Sequence, residues 1–109
     1  MNDRTGAAAS PPIACALDAG ALAGRVDEWR ALVASSVVRV ESAPSSVRLF
    51  LRDSEAALVA AADLGAREKA CCAFFDVAIE IEPGTRALRL SVPDGAEEAL
   101  AAFAALLRS

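Results

Sequence analysis

At 109 residues the chain has room for one domain with a real core and not for two. Its 55% hydrophobic content and net charge of -4 suit an ordinary soluble domain, and its scattered Lys and Arg leave no basic footprint for nucleic acid or an anionic membrane surface. No apolar run reaches the length of a membrane span and "MNDRTGAAASPP" lacks the apolar stretch of a secretory signal, so the expected location is cytoplasmic, with no membrane partner.

Residues 1–12, rich in Ala, Ser, Pro and Gly, read as a mobile leader, and 13–109 as a single α+β domain. "IACALDAGALAGRVDEWRALVASS" is a short lead-in and then a helix, with Asp18 as its cap and Leu17 and Leu22 placed for a hydrophobic staple. Leu22, Val26, Trp29 and Val33 recur at helical spacing as one apolar stripe. Val37 to Glu41 is β-branched and leads into the turn "SAPSS". Val47, Leu49 and Leu51 then alternate with Arg48 and Arg52, with Phe50 the exception on the wet face.

Asp53 is a candidate cap for a helix from Ser54 to about Cys72, and a strand is predicted from Phe74 to Glu82. "EPGT" is a turn, Leu88, Leu90 and Val92 form the returning strand, and Asp94 with Glu97 resembles a capping box before a last helix. "VRLFLRD" and "LRLSVPD" align, Val47, Leu49, Leu51 and Asp53 falling on Leu88, Leu90, Val92 and Asp94, and Val38 and Val40 on Ile79 and Ile81. The predicted fold is therefore α+β: two strand-strand-helix units preceded by an extra helix, forming a four-stranded antiparallel sheet with its helices on one face.

Three cysteines do not make a disulfide framework, and the absence of histidine leaves only thiolates and carboxylates to build a metal site. On the second helix Cys71, Cys72 and Glu68 fall on the inward side with Leu64 and Gly65. An inward carboxylate is costly unless it is protonated, paired or bound to something. Neighbouring side chains on a helix diverge by about 100°, so the pair chelates only if the helix end distorts or a third ligand, Cys15, closes the site. Three thiolates favour Hg(II), As(III) or Cu(I), and Zn(II) if Glu68 or water fills a fourth place.

Other readings of the same residues stand beside this one. Cysteine is a common core filler, Glu68 could pair with Arg25 or Arg67, and Trp29 suits a core position. At the level of function, a cytoplasmic soft-metal sensor or resistance accessory built on Cys15, Cys71, Cys72 and Glu68 comes first. Next is a non-catalytic homodimerisation or protein-interaction module with structural cysteines, meeting its partner through Phe50 and Phe74 on the outer sheet face. A thiol redox enzyme ranks last, because the chain has no Cys-x-x-Cys spacing and only Arg67 and Lys69 as nearby cations. Enzymatic activity is not the favoured reading.

"CALDAGALAGRVDEWRALV", "EKACCAFFDVAIEI" and "LRLSVPDGAEEAL" together resemble a group of small uncharacterised bacterial proteins, some found beside mercury-resistance functions or mercury-responsive regulators. The shared pattern is Cys-x-Leu, a helix with Leu, Arg and Glu-Trp, then Glu-Arg-x-Cys-Cys-x-Phe. It is matched here by Cys15, Leu17, Leu22, Arg25, Glu28, Trp29, Glu68, Cys71, Cys72 and Phe74. Lys69 replaces the usual Arg and Ala73 the usual Pro, which would sharpen the exit from the helix. The resemblance implies that Cys15 and the vicinal pair belong to one feature.

Overall fold

The computed structural model describes residues 19–108, with side chains from residue 24. The leader at 1–12, Cys15, the Asp18 cap and the Leu17–Leu22 staple lie outside the described residues or side chains. The elements are α1 (Ala19–Ser36), β1 (Val37–Ala43), β2 (Ser46–Leu51), α2 (Glu55–Cys71), β3 (Asp76–Glu82), β4 (Thr85–Ser91) and α3 (Glu97–Arg108). All strand pairs are antiparallel and the sheet order is β1-β2-β4-β3, the α+β architecture expected from the sequence.

The two central strands carry the aligned apolar residues of the repeat. Val47 pairs with Leu90 and Leu49 with Leu88, and all four are buried on the face that the helices cover. Burying each such side chain stabilises the fold by about 1.5–3 kcal/mol. The outer strands correspond differently from the sequence alignment. Val40 pairs with Leu49 and Val77 with Leu90, whereas Ile81 pairs with Arg86, so Val40 matches Val77 and not Ile81. A bulge between Val37 and Arg39 leaves Val38 as the extra, exposed residue.

Helix α2 lies over β3 and β4, α3 reaches β2, and α1 packs against both of these helices. Small residues let α2 approach closely. Ala57 and Ala61 are buried, and a methyl group on Gly65 would stand 2.9 Å from Val77 Cγ1 and 3.2 Å from Leu88 Cδ1. The buried side of α1 is Trp29 and Leu32, with Val26 and Val33 half-buried at its margins. No helix among the described residues is long and apolar enough to cross a membrane.

Element ends differ in detail from the sequence reading. Ser54, not Asp53, caps α2: its side chain accepts from Ala57 N–H, while exposed Asp53 pairs with Arg86 instead. Glu97 reaches back, but to the N–H of Gly95 at 2.8 Å, not to that of Asp94. The strand expected from Phe74 begins at Asp76, because Phe75 N–H closes a turn onto the Cys72 carbonyl at 3.0 Å. Phe74 is therefore in the core, 7% exposed and stacked on Phe75, and does not belong to the outer sheet face. Phe50 does lie there, but Arg39 and Arg48 cover its ring at 3.9 and 4.7 Å. Arg48 and Arg89 meet Glu80 at 3.0 and 3.2 Å, so this face is a mesh of ion pairs.

Candidate functional site

Helix α2 ends where the vicinal cysteines stand. Cys71 is its last residue and is half-buried; Cys72 is the C-cap, 3% exposed, with φ -121° and ψ 82°. The helix end thus distorts at Cys72, whose backbone has left the helical conformation. Lys69 Nζ donates to the Ala73 carbonyl at 2.7 Å, holding the exit from the helix. Among the described residues, neither Cys71 nor Cys72 is in a disulfide.

One turn earlier, Glu68 is 4% exposed. Its Oε1 accepts a 2.8 Å hydrogen bond from Trp29 Nε1 and lies 3.5 Å from Arg25 Nη1. The carboxylate is paired, as a buried acid must be, and Arg25 is the partner; Arg67 instead bonds Glu28 and Asp63. Arg25 Nη2 then reaches Cys71 Sγ at 3.6 Å, and its Nε lies 3.5 Å from Glu28. Burial works against the charge of Arg25. The bond to Cys71 and the negative charges of Cys71 and Glu68 outweigh it, holding this guanidinium above its ordinary pKa. A chain of polar contacts therefore runs from Cys71 through Arg25 and Glu28 to Arg67, stitching α1 to α2.

Beside the pair, between α1, α3 and the turn after α2, is a cavity of about 180 Å³. Val26, Trp29, Phe75, Phe103 and Leu106 give it apolar walls, Cys72 is on its lining, and Arg25 and Glu68 also reach it. Phe103 meets Trp29 edge-on at 5.3 Å and tilts against Phe75 at the same centroid distance.

Of the expected site residues, Glu68, Cys71 and Cys72 come together at this helix end, and Cys15 lies outside the described residues. Among the described residues, no three Cys, His, Asp or Glu side chains group closely enough to hold a metal ion. The sequence reading placed no cation but Arg67 and Lys69 near the thiols, whereas Arg25 touches one of them from 46 residues away. It also missed the cavity. The available signal was Arg25 one turn before Trp29, on the side of α1 that faces the inward carboxylate, and Phe103 three residues after Leu100 on α3. No protein-family model, curated protein or solved structure matches the chain.

Proposed function

We propose that this is a cytoplasmic thiol-site protein that captures a soft metal ion at the end of α2, as a sensor or resistance accessory and not as an enzyme. Cys71 and Cys72 are two of its ligands and Cys15 the third. The observation that carries this reading is the Arg25 guanidinium 3.6 Å from Cys71 Sγ, held there by buried Glu68. Partly exposed thiols beside fixed cations are the reactive ones. A dication held by three thiolates carries net negative charge, which a guanidinium offsets, so Arg25 suits the loaded site as well as the empty thiols.

The donor set favours Hg(II), As(III), Cu(I) or Zn(II) over hard ions. With Oε1 already accepting from Trp29 and facing Arg25, Glu68 acts as a positioning residue that sets the charge beside the ion. The likeness to proteins found beside mercury-resistance functions points the same way. The second reading, a homodimerisation or interaction module with structural cysteines, draws on the burial of Cys72 and on exposed Ile79 and Ile81 along β3.

Native mass spectrometry of the reduced chain with substoichiometric Hg(II), As(III), Cu(I) and Zn(II), alongside thiol counting before and after unfolding, separates the two. The metal reading expects a one-to-one adduct that masks thiols in the folded protein and is weakened by Cys15→Ser, Cys71→Ser or Cys72→Ser. Thiols that stay silent toward every ion until the protein unfolds would leave only the structural role.

A further inference from the structure

An inorganic ion held by the cysteines would make no use of the aromatic cavity that Cys72 helps to line. We infer that this cavity seats the organic group of a monosubstituted arsenic(III) compound, whose arsenic is captured by Cys71 and Cys72. The inference rests on the reading of the pair as a soft-element site and narrows its substrate class.

Trivalent arsenic forms three bonds. When one is to carbon, two thiols complete the set, and the helix end supplies two without calling on Cys15. The capture is a ligand exchange: RAs(OH)₂ and two thiols give RAs(S-Cys)₂ and two waters. Two As–O bonds break, two As–S bonds form, both thiol protons leave in the water, and no oxidation state changes. The product is uncharged at arsenic, which suits a pocket whose cation among the described residues, Arg25, is already balanced by Glu68.

The size and chemistry of the cavity choose the substituent. Apolar cavities of about 150 Å³ admit benzene, and this one, at about 180 Å³, is lined by Trp29, Phe75 and Phe103. A phenyl group there would meet aromatic edges and faces in the arrangements that ring pairs prefer. A methyl group would leave most of the volume unused.

The probes are phenylarsine oxide, methylarsonous acid and arsenite, titrated into the reduced full-length chain. Intact mass reads the adduct and the fluorescence of Trp29, the single tryptophan, reads the cavity. The phenyl compound should bind the wild type at least roughly tenfold more tightly than the methyl compound and should change Trp29 emission. Cys15→Ser should spare phenyl binding and weaken arsenite. Ala102→Leu, at an exposed position on the cavity lining, should abolish the phenyl preference while leaving arsenite binding unchanged. Equal phenyl and methyl affinities, or phenyl binding that leaves Trp29 emission unaltered, would place the organic group outside the cavity while the thiol reading stands. Failure of all three probes to form adducts with the folded, reduced chain would overturn both.

Discussion

Trp29 on α1 and Glu68 on α2 are 39 residues apart, almost wholly buried, and joined by a 2.8 Å hydrogen bond from indole N–H to carboxylate. The bond explains how an acid is tolerated on the inward side of α2. It also binds the helix that carries Arg25 to the helix that carries the thiols.

Removing the acceptor should therefore cost stability. Glu68→Ala strands the Trp29 N–H and leaves Arg25 with Glu28 and Cys71 among the described residues, so a loss of about 3 kcal/mol is expected, the low end for breaking a buried pair. Glu68→Gln keeps an acceptor for Trp29 and should lose about 1–2 kcal/mol. Urea unfolding of the three proteins checks the order. A Gln variant as stable as the wild type would mean that the charge on Glu68 contributes nothing.

Arg25 should control the chemistry of Cys71. Arg25→Met is expected to slow alkylation of Cys71 by iodoacetamide at neutral pH, by roughly three- to tenfold, with Arg25→Lys falling between. Because the pKa of Arg25 is raised, the stability its charge contributes is complete below its ordinary value and is lost only as pH climbs through the higher folded value. The stability difference between wild type and Arg25→Met should then be free of any step from guanidinium titration across the neutral range. Peptide mapping of the alkylated protein and chemical denaturation at several pH values provide the two readouts.

At Gly65 a methyl group would collide with Val77, whose β-branched side chain is stiff. Crowding of this kind costs about 1–3 kcal/mol, against about 1 kcal/mol gained in helix propensity, so Gly65→Ala should destabilise. The same substitution in a Val77→Ala background should be neutral or stabilising, and a double-mutant cycle would expose the coupling.

The assignment of the α2 cap is equally testable. Ser54→Ala should cost about 1 kcal/mol, whereas Asp53→Ala, which removes an exposed ion pair, should cost less than about 0.5 kcal/mol. Thermal melts that ranked the two the other way would return the cap to Asp53.

The strands and the sheet were legible because alternation reports directly which face is wet: Val47, Leu49, Leu88 and Leu90 could be placed inward from spacing alone. The inward placement of Glu68 and Cys72 was readable from the helical period for the same reason. What spacing could not supply was contact between distant elements. Arg25 beside Cys71 depends on how α1 crosses α2, and the cavity depends on where α3 brings Phe103, neither of which leaves a periodic trace. The register of the outer strands was misplaced because strand alternation repeats every two residues, so Val40 aligns equally well on Val77 or Ile81 until the hydrogen-bonded partners are known.

Strand β3 closes one side of the sheet and pairs only with β4 among the described residues, while showing two exposed isoleucines. Such an edge invites a second chain. An antiparallel meeting of two copies about Ile79, however, would set Asp76 of each against Glu82 of the other and repeat the clash at the far end. Like charges directly opposite repel, so the alternating acids of this strand act as a guard against edge-to-edge pairing of two copies. A partner that meets Ile79 and Ile81 would therefore engage their exposed side chains and not extend the sheet edge to edge in this register.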